Sequence, residues 1–514
     1  MAASLRRAAL LPLAVACAAP PRPAPRIAVA APPPAVVAPP LPARVSLRVR
    51  VPDADTAAAL PVRVVFRGLA PTGTPDLGPV HRASGAGPVV VAVRGEATVS
   101  VPPGRYRVAA SHGPEWSLGL SEVDLRDGRD AAVDLALRHE LPMPAQVPCD
   151  LHVHARPSYD SQVSVEDRVA SLVAEGVRFA VPTEHNIVGD YAPGVAALPA
   201  AVRAPLAWVP AVEVTTDPRD TPLGHFNVYP YPPAPGVVNG GPPPWVGVTA
   251  REVFLAARQR DPDAVLQVNH PRMAPGIGYF DLTGLDPWRN VARSPAYDPG
   301  YTALEVFNGL DLGDLPRVEA VLADYMALLG TGARYVATGS SDSHNLAFQT
   351  AGYPRTYVDA PGDDGEGAAD VDLVLRGLRA GRAMVTAGPM VRLAVEGRGP
   401  GESLEVDGVT PVRVRVQVTA ASWVTVREAA LWRDGQRVAV FAVAPSTAPR
   451  RFDRTVTLDV APGDTLLATA RGEARSLEVV MPWSRATPFA FTNPVRITPR
   501  AAGIRRGATL PARP

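Results

Sequence analysis

The sequence predicts an α/β domain with a parallel sheet, flanked on each side by a small β-sandwich. Three observations predict it. Between about Pro144 and Gly388, apolar strand-like runs alternate with amphipathic helical stretches, the pattern of βα repeats. On either side the texture changes to short alternating runs separated by Gly, Pro and Asp turns. At 514 residues the chain exceeds what one hydrophobic core organises, so several domains are expected.

Taken in order, residues 1–17 read as a secretory signal: Arg6 and Arg7, an apolar run from Ala8 to Ala16, then Cys17. The run is too short to span a bilayer. Leu13-Ala14-Val15-Ala16-Cys17 resembles a bacterial lipobox, with Ala14 where a larger aliphatic is preferred, so a lipid anchor at Cys17 and an extracytoplasmic location at the bacterial envelope are the expectations. Residues 18–44 are Pro/Ala-rich, favour polyproline II and cannot bury a core, which makes them a tether. Residues 45–141 carry runs such as Pro61-Val62-Arg63-Val64-Val65-Phe66, and Val101-Pro102-Pro103-Gly104-Arg105-Tyr106 resembles the turn and strand of carboxypeptidase-regulatory-like sandwiches.

In the central region, 144–389, one helix is expected to start at Ser164, bury Val169, Leu172 and Val173, and stop at Gly176. A second opens with the capping box Thr249-x-x-Glu252. A third places Val318, Val321, Leu322, Tyr325 and Leu329 at helical spacing and stops at Gly330. Residues 390–500 return to strands, including Val412 to Val418 and Arg454 to Val460, as a second sandwich, and 501–514 form a flexible tail.

A formal net charge of +1 removes the electrostatic footprint of a nucleic-acid binder or a polybasic membrane protein, so a small-molecule partner is expected. Every basic residue is arginine, which excludes Schiff-base lysines and carbamylated-lysine metal bridges. Beyond Cys17 only Cys149 remains, so no internal disulfide framework is possible.

Cys149-Asp150-Leu151-His152-Val153-His154 alternates, so Asp150, His152 and His154 share one strand face. Buried strands of a parallel barrel leave such side chains without water, and two neighbouring imidazoles are then best satisfied by a cation. Later strands end in His185, Glu213, His225, His270, and Asp342 with His344; strand ends of parallel α/β folds converge where such folds place their sites. Six of the nine histidines fall in this region. Histidines and carboxylates without thiolates suit zinc, manganese or iron, and more than four ligands implies at least two ions. Closely spaced ions make a bound water, not a side chain, the nucleophile of a hydrolysis. Asp150 and Glu184, each beside a ligand histidine in sequence, are expected to orient imidazoles as outer partners or to serve as structural carboxylates.

These residues resemble the PHP superfamily, specifically CehA/McbA-type metallohydrolases, over about Cys149 to Pro389. The resemblance rests on Asp150-Leu151-His152-Val153-His154, Asp160-Ser161, Thr183-Glu184-His185-Asn186, Glu213-Val214-Thr215-Thr216, Gly224-His225-Phe226-Asn227, Asn269-His270-Pro271 and Ser341-Asp342-Ser343-His344. It implies a distorted (β/α)7 barrel with two or three divalent ions and adds Asp160 as a further ligand. Glu184 stands where the superfamily usually has Asp. Pro488 to Pro494 looks like the closing strand of the appended sandwich.

The superfamily includes phosphoesterases, and CehA-type members act on aryl carbamate esters, so the resemblance implies a phosphoesterase or a carbamate or carboxyl esterase. Arg272, directly after His270-Pro271, is the expected clamp for a phosphate or carboxylate, with Arg156 also near the metal mouth. The competing readings are a TatD-type amidohydrolase barrel, against which the Asp342-Ser343-His344 pair stands, and a non-catalytic surface lipoprotein that binds metal or polymer. Loss of ligands would mark the latter, and all the ligand positions are filled.

Overall fold

Strand β1 (Gln146–Val153), the strand with the His-x-His pair, organises the central region of the computed structural model. The model describes residues 44–203, 206–216, 223–273, 276–365 and 367–500. The chain divides into Met1–Pro42 and a compact unit from Ala43 to Pro514; the predicted signal, most of the tether and the tail lie outside the described residues. No helix among the described residues is long and apolar enough to cross a membrane.

The protein is a mixed α/β, sheet-rich fold with few helices. Strand β1 pairs in parallel with β2 (Phe179–Pro182). A second sheet has the order β3 (Val212–Thr215), β4 (His225–Tyr229), β5 (Val265–Val268), β6 (Ala303–Asn308), β7 (Val336–Ser340). The all-parallel expectation fails at β4, which runs antiparallel to both β3 and β5. Reversal puts its first residue, His225, opposite Thr215 at the end of β3, so His225 reaches the ligand end from the start of its strand.

The expected closed barrel is not found. Among the described residues the segments at the facing edges of the two sheets meet through isolated bridges, His185–Glu213, Gly189–Ala211 and Val153–Ser343. The reason is competition for the edge of β1: its first half pairs antiparallel with β8 (Arg355–Asp359), leaving only its tip for the segment after β7. That tip is secured by Asp342 N–H donating to His152 O at 2.7 Å and His154 N–H to Ser343 O at 3.1 Å.

The helices follow their sequence signals. Helix α1 (Val165–Ala174) has Ser164 accepting from Asp167 N–H, and α2 (Ala250–Arg260) shows both halves of the Thr249–Glu252 capping box. Helix α3 (Leu315–Gly330) buries Val318, Val321, Leu322, Tyr325 and Leu329 against β6 and β7.

Within 45–141, a three-stranded and a four-stranded sheet enclose Leu47, Val64, Phe66, Tyr106 and Val108. In the C-terminal region, Phe489–Thr492 does not merely close a sandwich. It pairs with Ala383–Thr386 on one side and Thr465–Arg471 on the other, so the β1 sheet continues into the C-terminal sheet as one eleven-stranded sheet. Asn493 fastens this seam: its amide bonds Ala337 N–H and C=O at 2.8 and 2.9 Å, and Tyr325 Oη donates to it at 2.9 Å.

The N-terminal sheets are tied to the centre by a buried ion pair, Arg63 to Glu175 at 2.5 Å. Removing one partner leaves the other charge buried and unpaired. Arg63→Met is therefore expected to cost about 3–5 kcal/mol, and Arg63→Met with Glu175→Met to recover most of it. Urea denaturation of the three proteins checks this; an additive double variant would show that the pair is not coupled.

Candidate metal centre

Two buried carboxylates, Glu213 and Asp342, organise the site. Both side chains lie among imidazoles, Glu213 inside β3 and Asp342 just after β7. Asp342 and His270 adopt left-handed φ values of 47° and 27°, which non-glycine residues rarely hold unless their surroundings enforce them. The enforcing contacts are the Asp342 N–H bond to His152 O and His270 N–H donating to Glu305 Oε2 at 2.9 Å.

The histidines at the end of β1, His152 in it and His154 just after it, both donate from Nδ1. His152 Nδ1 lies 3.0 Å from Glu305 Oε1, and the other Glu305 oxygen accepts from His270 N–H and Asn308 Nδ2, so Nδ1 of His152 is the donor. His154 Nδ1 lies 3.0 Å from Ser158 Oγ. The single Ser158 proton goes to Glu184 Oε2 at 2.6 Å, and Ser158 also accepts His185 N–H, so His154 Nδ1 must donate. Both Nε2 atoms then face inward; at His152 burial opposes a second proton, but Asp342, Glu305 and Glu213 outweigh it and raise its pKa well above the ordinary value.

They face negative oxygens. His152 Nε2 is 3.3 Å from both Glu213 Oε1 and Asp342 Oδ1, and His154 Nε2 is 3.4 Å from Glu213 Oε2 and 3.2 Å from Asp342 Oδ1. Neither Nε2 has a hydrogen-bond partner, nor has Glu213 Oε2. Lone pair against carboxylate at this range requires something positive between them. A proton does not serve at His154, because burial, with the neighbouring His344 and His185, pushes its pKa down to about 3. The donor set therefore fits a cation.

The remaining ligand candidates complete a continuous cluster. His185 Nδ1 is 2.8 Å from Glu213 Oε2 and its Nε2 is 3.1 Å from Asp160 Oδ2; His344 Nε2 is 3.3 Å from the same Asp160 oxygen. His225 and His270 approach Glu213 Oε1 at 3.1 and 3.7 Å. All nine positions expected as ligands are brought together, in four overlapping sets that can hold an ion: His154, Asp160, His185 and His344; His152, Glu213 and His270; His152, His154 and Asp342; His185, Glu213 and His225. In each set the ligand atoms lie within 4.8 Å of one another.

The electrostatics describe a site short of positive charge. Burial opposes ionisation of Asp160, Glu213 and Asp342, yet the surrounding imidazoles hold all three below the usual carboxylate range. Burial likewise opposes a charged His185, but Glu213 and Asp160 outweigh it and raise its pKa to about 10.

Asp150 and Glu184 take one each of the two roles expected for them, and Arg272 departs from its expected one. Asp150 touches no imidazole; it accepts from Ser341 N–H and Oγ and from Gly352 N–H, fixing the loop that carries Asp342. Glu184 acts on His154 through Ser158 and also accepts from Ala155 N–H, and burial raises its pKa to about 7. Arg272 is drawn away by Asp324 at 2.7 Å and Asp281 at 2.9 Å, with its guanidinium over the Phe280 ring. Neither Arg272 nor Arg156 lines the cavity, of about 330 Å³, at the cluster.

Sequence reasoning missed Glu305, the orienting partner of His152. Its signal was a lone carboxylate inside the apolar run Ala303-Leu304-Glu305-Val306-Phe307. It also missed Arg168, fully buried on α1, which donates to His154 O and Ser343 O and clamps the tip of β1 to the Asp342 loop.

Glu305→Gln must turn an amide N–H toward either His152 or the donors His270 and Asn308. It is expected to weaken divalent-ion affinity about 10–100-fold, read by competition with a chromogenic chelator. Unchanged affinity would remove Glu305 from the orienting role. Because the metal-free His185 keeps its proton to about pH 10, an ion entering at neutral pH displaces it. Apparent affinity should therefore rise with pH, by about tenfold per unit for each proton released. Calorimetry in buffers of different ionisation enthalpy counts those protons.

No family model and no curated protein matches this chain. Among solved structures it is similar to a two-domain protein containing a predicted PHP-like metal-dependent phosphoesterase from Bacteroides vulgatus, at 14% identity over 64% of this chain and 92% of that one, with a TM-score of 0.34. It is also similar to an amidohydrolase from Chromobacterium violaceum, at 16% identity over 46% of this chain and 96% of that one, with a TM-score of 0.24.

Proposed function

We propose that the chain is an exported metal-dependent hydrolase of the PHP type, most similar in motif to CehA/McbA enzymes, cleaving a phosphoester or a carbamate or carboxyl ester. The observation that carries this reading is the pair of inward Nε2 atoms on His152 and His154 facing Glu213 and Asp342 without a hydrogen-bond partner. Two or three divalent ions of zinc, manganese or iron, held by the nine ligand residues, would polarise the scissile group and make water a stronger nucleophile.

The chain's own residues supply orientation and enclosure. Glu305 holds His152 and the Ser158–Glu184 pair holds His154 with their Nε2 atoms inward. Asn269 Nδ2 donates to Glu213 Oε1 at 2.8 Å and Asn308 Nδ2 to Asp342 Oδ2 at 3.0 Å, which fixes both carboxylates with Glu213 Oε2 and Asp342 Oδ1 turned to the imidazoles. Tyr159, Met273, Ile277 and Leu310 add apolar lining to the cavity beside the polar ligands, suited to a substrate with one polar reacting group. Export rests on the signal-like residues 1–17, with Cys17 as the anchor point.

The purified protein should carry two or three ions per chain by elemental mass spectrometry and hydrolyse p-nitrophenyl phosphate, bis-p-nitrophenyl phosphate or 1-naphthyl N-methylcarbamate. His152→Ala with His154→Ala should lower that rate by more than about a hundredfold, the upper end of the loss from disturbing only a ligand's outer partner. Less than one ion per chain, with no turnover after remetallation, would move the assignment to a non-catalytic binding protein.

A further inference from the structure

Beside the metal cavity lies a second groove, of about 360 Å³. Leu310 lines both, and Ser341, on the groove's wall, precedes the cluster residue Asp342. The groove's far side comes from the C-terminal region, through Met481, Trp483 and Arg485. Phe348 meets Trp483 edge to face, with ring centroids 5.6 Å apart, and half of Phe348 is exposed although it is a large apolar ring. Leu310, which lines both spaces, is similarly exposed, so the boundary they share is apolar on its open side.

Some polar groups of this groove lack partners. Thr350 Oγ1 and Trp483 Nε1 are buried without a hydrogen bond, and Thr350 is only 4% exposed. Arg485 is exposed and makes no hydrogen bond or ion pair with the described residues, whereas Arg272 is held by two carboxylates. An unpaired guanidinium beside an apolar trough complements an apolar group that carries a negative charge.

We propose that this groove is a substrate subsite that takes an apolar arm ending in an anion while the scissile bond lies at the metal cluster, which makes the C-terminal region part of the binding site. The proposal rests on the hydrolase reading for its direction, since the arm must belong to a molecule reaching the cluster through the Leu310 junction. Phe348 and Trp483 would pack the apolar part and Arg485 would pair with the charge.

The test is a fluorescence titration of the metal-loaded full chain with 1-anilinonaphthalene-8-sulfonate, an apolar ring system bearing one sulfonate. The expected result is one saturable site whose Kd rises about tenfold in Phe348→Ala and in Arg485→Glu, the size of a single substantial contact. It should stay unchanged in Arg129→Glu, a charge reversal on an exposed turn of the N-terminal region. Both altered side chains are exposed, and circular dichroism confirms that the variants fold. A Kd within twofold of the unsubstituted protein in both groove variants overturns the subsite. Because the dye reads binding alone, an inactive chain with groove-dependent dye binding removes the hydrolase reading and keeps the subsite, and an active chain with groove-independent dye binding does the reverse.

Discussion

The approach of Glu213 and Asp342 to two inward-facing imidazoles is the constraint on which the central region depends. Buried carboxylates and lone pairs at 3.2–3.4 Å are tolerable only with positive charge between them, so the cluster is a folding problem before it is a catalytic device. The surrounding structure answers it with hydrogen bonds to the outward atoms of several of these ligands. Asn269, Asn308, Glu305 and Ser158 each hold the outward side of one ligand and leave its inward side free.

That arrangement explains why the two sheets touch where they do. Their ladders end before closing, and the bridges that join them fall at His185–Glu213 and beside His152–His154. The ligand residues are thus also the stitches, with Arg168 clamping one of them from α1. A cation at the cluster would reinforce the same junction, which couples metal binding to the stability of the central region.

Outside the cluster, the three regions read from the sequence are not independent bodies. The seam strand Phe489–Thr492 makes the central sheet and the C-terminal sheet one, and Arg63 reaches from the N-terminal sheets to both Glu175 and Val480 O. Neither was legible in the chain. A strand's apolar alternation states which face is buried and is silent on which edges it pairs with, and an arginine among fifty others gives no sign of being buried.

The sequence by itself indicated three of the helices, whose caps and periodicity are local, and eight candidate ligand positions at or near apolar strand ends, Asp160 being added only by the family resemblance. It also held, unread, the lone carboxylate Glu305. Only the tertiary structure decided that β4 reverses, that the two sheets do not close into a barrel, that Asp150 serves a loop and not an imidazole, and that Arg272 is taken by Asp324 and Asp281. The reason is the range of the forces involved: capping and side-chain periodicity act within a few residues, whereas edge competition and ion pairing are settled between groups that chain order leaves far apart.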